Sequence, residues 1–483
     1  MTLGLSLVQQ KVFLEEAVRS KFLLLILALG LLLRVISINQ SLWLDEAISV
    51  NAARNFSVVE LLTKFSPGDF HPPFHYLLLK GWGTVFGFSE VAARSLSVLF
   101  GVATIWLVFL MGKNLFNKKT GLISVLFLAT APLHIYYSQE ARMYVPATFF
   151  AIVVVLFFLK LIGKNGDNLI NWLGFILSGI ALLYTDYLPG FIFVPLALYL
   201  FVFEKQHLRV NAKKWAVSFV AIVLLFAFWL PTFLQQLQVG LAVKINAPEW
   251  WSVLGRTSLK QLALVPLKFT IGRIPVDSSY NHVGALTVTS IVFAGLFYKA
   301  AKLWEETKFL WLWILAPAIA IAILGLGLSV FSYFRLLFLL PAFYLLLAVG
   351  SLSFRNRKVQ ALVVFVVIGI NLAATSIYLF NPRFHREDWR SATSWIQEHS
   401  GDKAATLFVG KGQIEPYRYY NPGIPAFGPT GWEDGGFDTI FLMRYVQPIL
   451  DPQDTLRQKV EGGGYRKLGE HDFNGVVVWE YQK

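Results

Sequence analysis

About eleven apolar stretches, each close to the length that crosses a bilayer as a helix, recur along this chain and leave few architectures open to it. In hydrocarbon a backbone must satisfy its own hydrogen bonds, so stretches of this kind are read as helices. The first is Phe22–Ile38, and the second and third are Ala92–Gly112 and Gly121–Tyr136. Val145–Ile162, Ile170–Tyr184, Leu188–Phe203 and Trp215–Leu234 follow. The last four are Leu286–Ala301, Phe309–Phe331, Leu336–Phe354 and Val359–Phe380. Composition agrees: 56% of residues are hydrophobic and only 15% charged, outside the range of soluble domains. The chain reads as an all-α polytopic membrane protein. The first stretch ends without a small-x-small cleavage site, so it is expected to remain as an uncleaved span.

The net charge of +13 sits mostly in short loops between these stretches, around Lys113–Lys119, Lys160–Lys164, Lys205–Lys214, Lys299–Lys308 and Arg355–Lys358. Lys11, Arg19 and Lys21 fall on the same side. Clustered loop cations mark the cytoplasmic side. They do not form the continuous basic face that nucleic acid requires, so no nucleic-acid partner is expected. The chain has no cysteine, which excludes disulfides, thiol catalysis and cysteine metal sites.

The alternate side then receives the acidic pair Asp45-Glu46, the cluster Gln139-Glu140-Ala141-Arg142, Asp186-Tyr187, the long loop Gln235–His282 and everything after Asn381. Two amphipathic stretches, Asp45–Lys64 and Pro72–Val85, suit helices lying along that membrane surface. Carboxylates beside hydrocarbon are expensive unless they are paired or functional. For Asp45-Glu46 the plain alternative is a helix start; for Glu140 and Arg142 it is a surface pair of little energetic weight. His71 and His75 could hold a metal at i, i+4 spacing, but no third ligand stands nearby, which favours interfacial capping. Arg335 either grips a phosphate in a bidentate fork or snorkels to the interface. Arg256, Lys260, Lys268 and Arg273 add positive charge to the long loop and suit an anionic ligand.

The sequence changes character after the last apolar stretch. Short β-rich pieces at Ala405–Val409, Thr439–Met443 and Val476–Tyr481, with helices at Asp388–His399 and near Gln453–Gly462, predict a small extracytoplasmic α/β domain over 382–483. Residues 1–381 form the membrane domain. Trp432, Tyr417, Tyr419 and Tyr420 are either glycan contacts or ordinary core.

Leu42-Trp43-Leu44-Asp45-Glu46-Ala47 is followed by His71-Pro72-Pro73-Phe74-His75-Tyr76-Leu77-Leu78-Leu79-Lys80 and by Ala93-Arg94-Ser95-Leu96. Gln139-Glu140-Ala141-Arg142-Met143-Tyr144 and Tyr333-Phe334-Arg335-Leu336-Leu337 come later. Taken in order, these resemble the GT-C glycosyltransferases over about residues 20–385. The branch is that of family 39/83-like bacterial and archaeal relatives of protein O-mannosyltransferases and of the lipid A aminoarabinose transferase. The resemblance implies a GT-C fold and transfer of a sugar from a polyprenyl-phosphate donor to a lipid, glycan or protein acceptor, on the outer face of the plasma membrane. It implies Asp45 as catalytic base, with Glu46 and Glu140 as further catalytic carboxylates. Candidate substrate or phosphate contacts are His71, Lys80, Arg142, Tyr144, Asp186, Tyr187, Arg273 and Arg335. No cofactor is required by this reading; a divalent metal stays an option, with Glu140 and His71 as its candidate ligands. Asp186-Tyr187 departs from the family, whose members often carry a histidine there.

One carboxylate acting by direct displacement predicts inversion at the anomeric carbon, because adjacent residues such as Asp45 and Glu46 diverge on a helix and cannot flank one bond. The competing class is a lipid or glycan transporter, which would place ionisable residues near mid-membrane and show internal repeats. Here the ionisable residues gather at stretch ends and the two halves differ.

Overall fold

The computed structural model describes residues 21–246, 248–253, 255–274, 280–432 and 436–483; Lys11 and Arg19 lie outside them. Among the described residues five helices are long and apolar enough to cross a membrane: Glu90–Leu115, Tyr144–Ile162, Lys205–Ala227, Trp304–Leu324 and Arg357–Phe380. Lys118–Thr130 and Pro132–Ser138, bent by 61°, make a sixth if taken as one span. Leu169–Thr185, Leu188–Val202, Leu286–Ala301 and Leu337–Leu352 are apolar but shorter. Of the eleven or so spans expected, five or six are thus found at full length among the described residues, with these four shorter apolar helices beside them.

The basic loops meet at one end of the bundle. Lys119 donates to Gln360 (2.7 Å) and Lys214 to Asp167 (2.5 Å), while Lys299 and Lys308 rest over the rings of Phe354 and Phe203. At the other end the long loop is mostly helical, contrary to expectation, with helices at Leu230–Asn246, Pro248–Val253 and Leu259–Ile271. Asp45–Lys64 is not one helix either. Leu44–Asn55 is α-helical and tight turns follow, whereas Phe74–Phe86 forms the second surface helix.

The bend at Ala131 has a buried support. Pro132 has no N–H, so it breaks the helical ladder and leaves carbonyls of the preceding turn without partners. Arg34, fully buried at the end of helix Lys21–Val35, donates to Ala129 O (3.0 Å) and Leu128 O (3.3 Å). It also donates to Ser138 Oγ (3.1 Å) and to His134 Nδ1 (2.6 Å), which must accept because a guanidinium can only donate. A cation at a helix C-terminus also meets the negative end of the macrodipole. This bend aims residues 139–142 at the site described below.

After Phe380 the chain builds a five-stranded sheet of order β2-β1-β3-β5-β4. The strands are β1 Ala404–Phe408, β2 Ala426–Phe427, β3 Thr439–Met443, β4 Arg466–Phe473 and β5 Val476–Gln482. β1 pairs in parallel with β2 and β3, and β5 runs antiparallel to β3 and β4. Period-2 alternation sends Phe408, Phe441 and Val478 to the face covered by Trp389 and Ile396, and Leu407, Ile440 and Tyr481 to the face covered by Trp432 and Leu456. β4 was not expected: Arg-Lys-Leu-Gly-Glu-His-Asp-Phe carries the charge of an exposed edge strand rather than an apolar alternation.

Replacing Arg34 with Met should lower thermal stability in detergent by on the order of 3 kcal/mol, since several buried acceptors lose their donor at once. A melting temperature unchanged from wild type would refute the role of Arg34 at the bend.

Candidate active site

Glu46 and its neighbour Asp45 lie in the first turn of helix Leu44–Asn55 and point apart, as consecutive helical residues must. Glu46 is fully buried. Arg94, also fully buried, grips it with Nε to Oε1 at 2.8 Å and Nη2 to Oε2 at 2.5 Å. The remaining Arg94 donors go to the carbonyls of Ile38 (2.7 Å), Gln40 (2.5 Å) and Ser41 (2.9 Å). Glu46 Oε1 also accepts from the Ala141 N–H (2.8 Å). Burial pushes the Glu46 carboxyl up, but Arg94 and Arg386 outweigh it and hold the group below its ordinary value. The catalytic assignment of Glu46 is therefore corrected: both oxygens are committed, and its part is to lock this loop to the 139–142 segment.

Asp45 is one-third exposed at the side chain, and its Oδ2 lies 3.7 Å from Arg142 Nη2. Arg142 donates to Ser49 Oγ (2.9 Å) and approaches the Asp45 carbonyl (3.4 Å). Its Nε is buried with no partner. The plain alternative of a Glu140–Arg142 surface pair does not form; both side chains are buried and each has another partner.

A carboxylate without an expected role, Asp69, stands in the same group. It accepts from Tyr76 OH (2.5 Å) and from the His71 N–H (3.3 Å). Burial raises its pKa against the opposing pull of Arg142. Its position two residues ahead of His71 was the only signal in the sequence. His71 precedes helix Phe74–Phe86, so it and His75 do not share a helical face. Burial and the nearby Arg142 hold both imidazoles down, His75 to about 3, which leaves them neutral and not phosphate-binding cations. His75 Nε2 meets the Ala141 carbonyl at 3.2 Å.

Glu140 is paired with Arg386 at 3.3 Å, a residue that enters from beyond the last long helix. Arg386 also approaches Glu46 (3.5 Å), donates to Tyr378 OH and Tyr136 O (3.3 Å each) and stacks on Tyr136 at 4.5 Å. One oxygen of Glu140, Oε1, is buried without a partner. Burial, with the Glu46 charge beside it, lifts the Glu140 carboxyl to about 7 against the pull of Arg386. Nothing in the sequence set Arg386 apart from its polar neighbours.

Arg335 and Asp186 complete the rim. Burial raises Asp186 to about 6, with Arg335 opposing, and the field at Arg335 includes Asp45 and Tyr144. Arg335 donates to Ser329 O (2.7 Å) and lies over Phe334. Tyr144 packs edge-on against Tyr137 and Phe334. Arg273 donates to Tyr136 OH (2.7 Å). Tyr187 accepts from Trp229 Nε1 (2.8 Å) and donates to Gln236, which tethers it to the turn at Ser66. Lys80 is corrected from a phosphate contact to a helix cap: its ammonium donates to Phe56 O (2.7 Å) and Ala53 O (3.2 Å) at the end of helix Leu44–Asn55. Among the described residues no three His, Asp or Glu side chains converge on a metal position. Glu140 faces Arg386 while His71 sits with Asp69, so the proposed metal ligands are not brought together and the donor set does not fit a divalent ion.

Residues 70–231 match the family described as dolichyl-phosphate-mannose-protein mannosyltransferase. No curated protein sequence matches the chain. The fold is similar to that of ArnT from Cupriavidus metallidurans bound to undecaprenyl phosphate, with TM-score 0.59 and 14% identity over 95% of this chain and 98% of that one. It is also similar to the archaeal oligosaccharyltransferase AglB from Archaeoglobus fulgidus in complex with an inhibitory peptide and a dolichol-phosphate. There the TM-score is 0.52 at 14% identity, over 94% of this chain and 74% of that one. At this identity the likeness is one of fold, and the family match is confined to residues 70–231.

The protein should tolerate the loss of one neighbouring carboxylate and not the other. Glu46→Gln leaves two buried guanidiniums short of a counter-charge and should cost about 3–5 kcal/mol of stability in detergent. Asp45→Asn, partly exposed, should cost less than about 1 kcal/mol. Equal losses would overturn this division of roles.

Glu140 gives a pH signature. Its raised carboxyl favours the folded enzyme while protonated, so the contribution is full below the ordinary value of 4.5 and is lost as pH rises through about 7. Glu140→Gln should flatten the decline in melting temperature across that window. A wild-type slope retained in the variant would assign the titration elsewhere.

Proposed function

We propose that this enzyme moves a sugar from a polyprenyl-phosphate carrier to an acceptor hydroxyl on the extracytoplasmic face of the plasma membrane, with Asp45 as general base. The observation that carries the reading is the contrast among carboxylates. Glu46 and Glu140 are sealed against arginines, whereas Asp45 is part-exposed and held by Arg142. The two similar structures are bound to undecaprenyl phosphate and in complex with a dolichol-phosphate, which supports a lipid-phosphate donor here.

In the proposed step the acceptor oxygen passes its proton to an Asp45 oxygen and bonds to the anomeric carbon. The bond from that carbon to the phosphate oxygen breaks, and the polyprenyl phosphate leaves with the electron pair. Arg142, with its unpartnered buried Nε, and Arg335 are placed to take up the developing phosphate charge. Of the carboxylates expected to be catalytic, only Asp45 is open to solvent, which suits single displacement and inversion better than a covalent intermediate. No step needs a metal. Basic loops at the far end of the bundle support a cytoplasmic assignment for that end and an outward-facing site.

Asp45→Asn in the purified full chain should lower turnover of a polyprenyl-phosphate sugar by about 10²–10⁴-fold while leaving donor affinity nearly unchanged. Turnover at the wild-type rate would remove Asp45 as base. The anomeric configuration of the product should be opposite to that of the donor; a β-linked donor giving a β-linked product would exclude single displacement.

A further inference from the structure

Helix Leu44–Asn55 carries Asp45 at its start, and an open groove of about 980 Å³ runs along the rest of it. Ile48, Ala52 and Asn55 line that groove. They are the i+3, i+7 and i+10 neighbours of Asp45, so the groove continues the helix face on which the proposed base stands, reaching about 15 Å further along the axis at Asn55. The opposite wall is C-terminal, from Lys411 to Gly431. The two walls are tied together: Asn51 Nδ2 donates to Glu415 O and Oε2 (2.9 Å each), and Tyr419 OH donates to Phe88 O (3.0 Å).

We propose that this groove binds an acidic glycan strand and feeds its end to Asp45 as the acceptor; the proposal rests on the glycosyl-transfer reading above. Two cations in the groove, Arg54 and Lys411, are exposed and have no hydrogen-bond or ion-pair partner among the described residues. Arg418 adds a third, shared with Glu415 at 2.8 Å. Unpaired cations in a groove attract carboxylates or phosphates. Asn55, Asn421 and Thr430 offer neutral donors and acceptors for hydroxyl groups, and the ring of Phe427 offers an apolar face. An added Cβ at Gly412 or Gly431 would meet nothing within 4 Å, so the backbone leaves room for a bulky chain to lie close. The groove fits a lipid tail poorly, because its cations would lose their hydration. It also fits an extended peptide poorly, because the sheet edge it exposes, β2, offers only two residues for strand addition.

The test is calorimetric titration of the full chain in detergent with an oligomer of galacturonic acid, a neutral galactose oligomer of equal length and a poly-glutamate peptide. The acidic glycan should bind at least about tenfold more tightly than either other probe, and its affinity should fall with salt. Arg54→Ser with Lys411→Ser should weaken it at least about tenfold, through loss of two charge-assisted contacts. Gly412→Trp should do the same by obstruction. Release of sugar from the polyprenyl-phosphate donor to water should stay within about twofold of wild type in these surface variants. Equal binding of the neutral glycan or of poly-glutamate overturns the proposal, as does acidic-glycan binding untouched by the variants, or no binding at all. Absence of sugar release from wild type would defeat the transfer reading instead, while the titrations still report on the groove.

Discussion

The buried pair of Glu46 and Arg94 holds the geometry of the whole site. An ion pair removed from water is repaid only when every remaining donor and acceptor is also satisfied. That condition is met here: the guanidinium spends its other hydrogens on the loop carbonyls of Ile38, Gln40 and Ser41, and the carboxylate takes a backbone N–H from the 139–142 segment. One interaction therefore fixes the exit of the first helix, the start of helix Leu44–Asn55, the start of helix Glu90–Leu115 and the segment bearing Arg142. Asp45 owes its position to this arrangement, since it is covalently next to the locked residue and has no side-chain anchor of its own beyond Arg142.

Adjacent carboxylates thus divide structure from chemistry. On a helix neighbouring side chains diverge by about 100°, so if one faces the packed interior the other faces away from it. Glu46 turns inward to arginine and Asp45 turns to the opening. The same separation recurs nearby. Glu140 is sealed beneath Arg386, while Arg142, two residues on, reaches Asp45. The bend supported by Arg34 redirects the short helix Pro132–Ser138, which stops just before these polar residues.

Much of this was legible from sequence where one local rule dominates. Apolar runs marked helices, because length and hydropathy alone decide that a segment avoids water. The acidic pair stood out because charge beside hydrocarbon is rare, and β1, β3 and β5 were placed within a residue or so by their β-branched and aromatic content. The failures share a cause: the deciding partner is far away in the chain. Glu46 and Asp45 read alike until Arg94 is seen to reach only one of them. Lys80 looked like a phosphate ligand until Phe56 and Ala53 presented their carbonyls. Arg386 lies 246 residues from Glu140, in a stretch with no periodicity to single it out. β4 was missed because an edge strand is selected for charge, which erases the alternation that identifies a strand.

Arg386 also changes what the C-terminal segment is. An appended α/β unit that merely rested on the bundle would present a polar, separable interface. Instead it begins by inserting a buried guanidinium between Glu46 and Glu140, and it carries Tyr445 to within the field of Asp45. Removing the segment would deprive the buried carboxylate of Glu140 of its paired arginine, and would strip Glu46 of its second one. Solvation of those groups by entering water would relax the 139–142 segment that both of them hold. The sheet is thus continuous with the site in electrostatic terms, although it is remote from it in sequence, and the Asn51–Glu415 and Tyr419–Phe88 hydrogen bonds extend that junction along the groove.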